Sequence, residues 1–243
     1  MAVDATPLVG HRRVAARRRR WLNRLGKALI TIGVLLLLFV AWELVGTNFL
    51  AARSQAALRA ELEAEGLPGY DIVEDRDAHP RPNTARPFVK PGDGIGYLRV
   101  PKIGVDKVFV EGIDRDALRK GPGHYEDTPL PGQKGNVGIA GHRTTYGAPF
   151  WALNRLRRGD RIAVETARGR FVYRVIWVKV VAPDDVWVLN PTRVRLSITL
   201  TTCTPRFSAS QRLVVRAVQV LGPHPPGTRL APQRIFGEPE DGA

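Results

Sequence analysis

Hydrophobic and polar positions change their pattern twice along this chain. Residues 28–50 form a run of 23 residues with one charge, Glu43, and no polar face. A helix rises ~1.5 Å per residue, so the run would extend roughly 34 Å, enough to cross a hydrocarbon layer of about 30 Å. Glu43 lies past the midpoint, where a carboxylate costs less than the ~3 kcal/mol of the bilayer centre, and the Leu, Ile and Val residues before it outweigh it. A cleaved leader is the competing reading, because Ala51 and Ala52 are small. The length of the span and of the basic segment before it favours an uncleaved anchor. Residues 51–66 are rich in Ala, Leu and Glu, which predicts a helix ending at Gly66 with Pro68 beyond it. The polar stretch that follows carries Pro80, Pro82, Pro87 and Pro91, so 51–93 as a whole reads as a helix and linker or stalk.

From Gly94 the period shortens. Val/Ile/Thr-rich runs separated by turn residues predict strands at 95–100, 105–111, 136–140, 160–166, 170–181, 193–201 and 212–221. Two short helices are expected, 114–120 behind an Asp cap and 149–156. Seven or eight short strands with little helix predict a mainly β domain over 94–221, a single closed or nearly closed barrel. Residues 222–243 are rich in Pro and Gly and are expected to be disordered.

Composition changes this picture in two places. The net charge of +14 suggests nucleic acid, but residues 1–27 hold eight Lys/Arg against Asp4 alone. Half of the excess is therefore a basic tail directly before the apolar span. The positive-inside rule then puts that tail in the cytoplasm and everything after residue 50 outside, as a single-pass membrane protein. No stretch interleaves Lys/Arg with stacking aromatics, and the topology removes the domain from nucleic acid. A single cysteine, Cys203, excludes internal disulfides and multi-cysteine zinc sites.

That cysteine ends the β-forming run RVRLSITLTTC and is followed by Thr204-Pro205, which presents a thiol at a sheet rim. A lone cysteine is usually a small buried hydrophobe, and a thiol with a pKa near 8.5 needs a base to act as a nucleophile at pH 7. His11, His79 and His224 lie in the tails and the stalk, leaving His124 and His142. His142 follows the strand NVGIA and precedes the turn-rich RTTYGAP, again a strand end, whereas His124 in GPGHYEDTP reads as a loop residue. Cleaving an amide also needs a donor for the oxyanion. Arg212 starts the strand after Cys203, where a hairpin-like return could bring it to the same rim; Arg206 is nearer in sequence but lies in the loop.

The stretch Thr199-Leu200-Thr201-Thr202-Cys203, with Arg212 after it and Ala140-Gly141-His142 before it, resembles the sortase signature. The wording GHRTTYGAPF and LTTCTPRFSASQRLVV is similar to class E sortases of high-GC Gram-positive bacteria. The resemblance covers about residues 94–221 and the anchor, and implies an eight-stranded sortase-type β-barrel. It implies a cysteine transpeptidase needing no cofactor, which cleaves the Thr–Gly bond of a Leu-Pro/Ala-x-Thr-Gly sorting signal through a thioacyl enzyme. Cys203 would be the nucleophile, His142 the acid and base, and Arg212 the oxyanion or backbone donor. The partners would be secreted proteins bearing the signal and a peptidoglycan-precursor amine, usually lipid II. Thr201, Thr202 and Tyr146 are candidate contacts to the sorting peptide.

Some sortases bind calcium near the loop before the cysteine strand. Here residues 182–192 offer only the adjacent Asp184 and Asp185, too few oxygens for calcium, so no metal is expected. A pilin-polymerising sortase is the nearest variant; no segment ahead of the barrel carries an obvious substrate-mimicking lid motif, and the acidic stretch 71–82 leaves that variant open. The alternative from another class is a non-enzymatic, membrane-tethered β-domain that binds a wall polymer or partner protein. Such a module has no reason to hold Cys203, His142 and Arg212 at three strand ends.

Overall fold

The computed structural model describes residues 10–67, 69, 89–191, 196–226, 228 and 230–232. The acidic stretch 71–82 and the last residues of the tail, from 233, lie outside these. The chain divides into two units, Met1–Gly46 and Thr47–Ala243.

The first unit contains helix α1 (Gly10–Ala41) and a π-helical turn, Trp42–Gly46. Within α1 the stretch Trp21–Ala41 is long and apolar enough to cross a membrane, and Leu29, Ile30 and Leu37 on it are exposed. This is a different placement from the expected 28–50, and the second unit supplies the reason. Its helix α2 (Thr47–Ala64) buries Thr47, Ala51, Gln55, Leu58 and Leu62, spaced four, four, three and four residues apart. That spacing is one helical face. Leu58 and Leu62 pack with Tyr97, Val108, Val110 and Ala117, so residues 47–64 belong to the globular domain.

Eight strands close a barrel: β1 (Gly94–Val100), β2 (Val105–Glu111), β3 (Gly123–His124), β4 (Asn136–Ala140), β5 (Arg161–Thr166), β6 (Gly169–Val181), β7 (Ser197–Thr204) and β8 (Gln211–Leu221). Their order around the wall is β1-β2-β3-β4-β7-β8-β6-β5. Val, Ile, Leu and Phe from alternate positions fill the interior, including Phe109, Ile139, Phe171, Ile198, Leu200 and Val215. The wall is thin at β3, which shares two register pairs with β2, Val110↔Gly123 and Glu111↔His124, and two with β4. Gln55 of α2 completes that edge: its Nε2 donates to Val108 O (2.9 Å) and Lys120 O (2.8 Å), and its Oε1 accepts from Val108 N (2.9 Å). Backbone groups that would otherwise be buried without partners are thus satisfied by a side chain.

Helix α3 (Arg115–Lys120) forms as expected, with Asp114 accepting from the amides of Asp116 and Ala117. The expected helix over 149–156 does not form beyond the 3₁₀ turn Leu153–Arg155. Phe150, Leu153 and Leu156 are all fully buried at intervals of three, the 3₁₀ period, and the carbonyl of Trp151 is taken by Arg143. The segment after β8 also departs from expectation. Ala231 packs with Val172, Val218 and Val220, and its amide donates to Gln219 O (2.9 Å), so the described part of the tail is folded onto the barrel.

Candidate active site

Strands β4, β7 and β8 lie side by side, and their registers align the three residues singled out from the sequence. Cys203 on β7 is directly opposite Arg212 on β8. Ala140 on β4 is level with Thr201 in the parallel β4–β7 pair, and Gly141 N continues that ladder to Thr201 O at 3.0 Å. His142 lies two residues beyond Ala140, in the loop that leaves β4, and Cys203 lies two residues beyond Thr201 on β7. Ile139, Leu200 and Leu213 face the core, so Ala140, Thr201, Cys203 and Arg212 alternate to the outer face of the wall. At Gly138 that face is covered by the side chains of Tyr125, Leu189 and Thr128, leaving Ala140 as the partly exposed residue next to the strand end.

Cys203 and His142 are both half-buried. Arg212 donates through Nη1 to Ala209 O (2.9 Å) and Gln211 O (3.0 Å), which ties it to the β7–β8 loop. Arg206 is engaged elsewhere, its guanidinium 4.1 Å above the Trp151 ring. Thr201 lies on the outer face with its hydroxyl 2.9 Å from Tyr125 Oη. Thr202 alternates to the other face, and its buried hydroxyl donates to Gly141 O (2.7 Å). Tyr146 lies against His142, with ring centroids 5.0 Å apart and tilted by 37°. The phenol oxygen of Tyr146 accepts from Arg119 Nε (3.3 Å). His124, expected in a loop, is instead buried in β3, with Nδ1 2.8 Å from Glu111 Oε1 and Nε2 3.1 Å from Thr128 Oγ1. These partners occupy His124, whereas His142 lies in the loop after β4, the strand next to the one that carries the thiol.

Sequence reasoning missed Arg143. Buried next to His142, it donates from Nη1 to Cys203 O (3.2 Å), from Nε to Trp151 O (3.2 Å) and from Nη2 to Asn154 Oδ1 (3.1 Å). One planar fork therefore fixes the histidine loop against the cysteine strand. The segment before β7 is anchored as well. Val188 O accepts from Asn136 Nδ2 (3.2 Å), Thr199 Oγ1 (3.3 Å) and Arg216 Nη2, which holds the 3₁₀ turn Val186–Leu189 on the wall. Asp185 accepts from Ala182 N (2.8 Å) and Trp187 Nε1 (3.2 Å). Among the described residues no group of three or more His, Cys, Asp or Glu could hold a metal ion.

Burial, and after it the positive charge of Arg119, holds the His142 imidazole below its ordinary pKa. Protonating it is therefore harder in the folded than in the unfolded protein. The associated stability is present above the unfolded value of about 6.5 and is lost as pH falls towards the depressed folded value. Acidification from pH 7.5 to 5 should accordingly lower the melting temperature of the wild type more than that of His142→Gln. Equal acid shifts in thermal unfolding would contradict a neutral, half-buried imidazole.

A closed barrel with a thiol, an imidazole and a guanidinium on one face of three adjacent strand ends has the parts of a thiol-dependent acyl-transfer enzyme. Residues 98–220 match the sortase domain, and the chain belongs to the sortase family. It is 35% identical over 206 residues to Sortase SrtE1 of Streptomyces coelicolor, an alignment covering 79% of this chain and 55% of that protein. The chain thus spans little more than half the length of that relative. The structure of Sortase E1 from S. coelicolor with a tripeptide in the active site is similar at 38% identity and a TM-score of 0.51, over 55% of this chain and 92% of that one. The Clostridium perfringens Sortase D5 transpeptidase superposes with a TM-score of 0.58 at 31% identity, over 70% of this chain and 99% of its own.

Proposed function

We propose that this sortase is a membrane-anchored transpeptidase that cleaves the Thr–Gly bond of a Leu-Pro-x-Thr-Gly or Leu-Ala-x-Thr-Gly sorting signal. It then joins the threonine to an amine of a peptidoglycan precursor such as lipid II. The observation that carries this reading is the cross-strand pair Cys203–Arg212, with His142 in the loop that leaves the adjoining strand β4. Cys203 Sγ attacks the threonine carbonyl carbon as its proton passes to His142. The tetrahedral oxyanion is held by Arg212 N–H groups. Collapse breaks the C–N bond, and His142 returns the proton to the departing glycine amine. The thioacyl enzyme is then attacked by the acceptor amine, which gives its proton to His142. Breaking the C–S bond releases the product, and the proton returns to sulfur.

An extended peptide would run towards Cys203 with Thr201 and Tyr146 at its margins. The tripeptide held in the active site of Sortase E1 from S. coelicolor supports a peptide in this position. The basic tail before Trp21–Ala41 favours a cytoplasmic N-terminus and an extracellular barrel. Anchoring would keep the enzyme beside a membrane-bound acceptor and raise its effective concentration.

Mass spectrometry of products from a peptide panel varied at the second position of the signal, with several amine acceptors, tests this reading. Release of the glycine-bearing fragment and an amine-dependent ligation product are expected. Failure of every Leu-x-x-Thr-Gly peptide would force a different function.

A further inference from the structure

We infer that α2 is part of the catalytic apparatus, with Asn48 as a positioning residue that fixes the loop carrying His142. The inference rests on the acid–base role proposed above for His142. It starts from the backbone after that histidine. Thr145 to Ala148 form a turn closed by Ala148 N donating to Thr145 O (2.9 Å). Tyr146, Gly147 and Ala148 have φ of 52°, 76° and 40°, three successive residues in the left-handed region, two of them with side chains. Such a backbone is disfavoured for L-residues and persists where its surroundings over-determine it.

Two helices supply that constraint. Gly147 N donates to Asn48 Oδ1 at 2.8 Å, a bond between residues 99 positions apart. At the preceding residue, Arg119 Nε of α3 donates to the Tyr146 phenol oxygen (3.3 Å). The other side of Tyr146 is the ring that lies 5.0 Å from the His142 imidazole. A continuous chain of contacts therefore runs from Asn48 through Gly147 and Tyr146 to His142. The turn also sits close on the helix, since a Cβ added at Gly147 would be 3.7 Å from that of Ala51.

Asn48 is a firm point for such a bond. Its neighbours Thr47 and Ala51 are buried, and Gln55 one turn further on makes three hydrogen bonds to the backbone of Val108 and Lys120. The catalytic unit accordingly begins at Thr47 rather than at the first strand. Loss of the Asn48 acceptor frees the turn, withdraws Tyr146 from behind His142 and lets the imidazole leave its productive position. Misplacement of this kind acts on the chemical step, so it lowers kcat more than it changes KM.

The test uses the full-length protein in detergent micelles, with a sorting peptide that the wild type cleaves. Asn48→Ala should lower kcat about tenfold with KM within about twofold. It should also speed amide exchange in the segment 142–151 while the strands exchange as before. Asn48→Asp keeps an acceptor oxygen at the same reach and should retain both wild-type behaviours. An unchanged kcat in Asn48→Ala, or equal losses in Asn48→Ala and Asn48→Asp, would overturn the inference. Should Asn48→Ala not fold, Asn48→Gln moves the oxygen by one methylene and carries the same expectation. Amide exchange needs no substrate, so a wild type inactive on every peptide would refute the functional reading and still leave the exchange comparison to decide on Asn48.

Discussion

Cys203→Ala should abolish release of the glycine fragment from a sorting-signal peptide, a fall of about 10⁴-fold or more, while the barrel remains folded. The two halves of this expectation come from different parts of the structure. Cys203 is half-buried at the end of β7 and faces outward, and it contributes nothing to the barrel interior, which is filled by Ile198 and Leu200 of the same strand. Removing its sulfur therefore leaves no cavity in the core, and the melting temperature should stay within a few degrees of the wild type. Chemistry, by contrast, has no substitute. The chain contains no other thiol, and the neighbouring Thr201 and Thr202 hydroxyls already pair with Tyr125 and Gly141. Steady-state cleavage followed by chromatography, with circular dichroism as the folding control, reads both quantities. Substantial residual cleavage by a folded Cys203→Ala protein would remove the thioacyl mechanism.

What the sequence made legible follows a physical division. The long strands and α3 were readable because each carries a local signal, β-branched alternation or an Asp cap. The sortase resemblance rested on short motifs at Ala140-Gly141-His142 and Thr199 to Cys203 with Arg212 following, and the family match bears it out. The strand β3 was not readable, since two residues pair through their backbones and leave no period. The docking of α2 escaped for another reason. Its buried stripe of Thr47, Ala51, Gln55, Leu58 and Leu62 continues a long helical pattern, so the residues facing the barrel looked like the end of a membrane span and the start of a stalk. A small-residue and Gln stripe at helical spacing was the available clue. Arg143 and Asn48 had no sequence signal: their importance comes from bonds to Cys203 O and Gly147 N, 60 and 99 residues away. Arg206 and Arg212 were both near the thiol in sequence, and only the β7–β8 register separates them.

That register makes Arg212→Lys the second variant with a large expected effect. Directly opposite Cys203, the guanidinium offers five N–H donors in a rigid plane. Nη1 is committed to the carbonyls of Ala209 and Gln211, so the loop between β7 and β8 orients the plane. A developing oxyanion at the carbonyl under attack then meets donors that need no reorganisation, and loss of one such donor lowers kcat by about 10²–10³-fold. Lysine keeps the positive charge but replaces the fork by a single ammonium on a flexible stem, which cannot serve the loop carbonyls and the oxyanion together. Two mechanisms could lower activity, and they separate in the kinetics. If Arg212 stabilises the transition state, Arg212→Lys lowers kcat and kcat/KM together and leaves KM little changed. If its main service is to hold the β7–β8 loop for peptide binding, KM rises and kcat is preserved. Single-turnover acylation of Cys203, followed by mass spectrometry, distinguishes these directly because it isolates the step in which the oxyanion forms. A wild-type acylation rate in Arg212→Lys would assign oxyanion stabilisation to another donor, for which Arg143, already bonded to the carbonyl of Cys203, is a candidate.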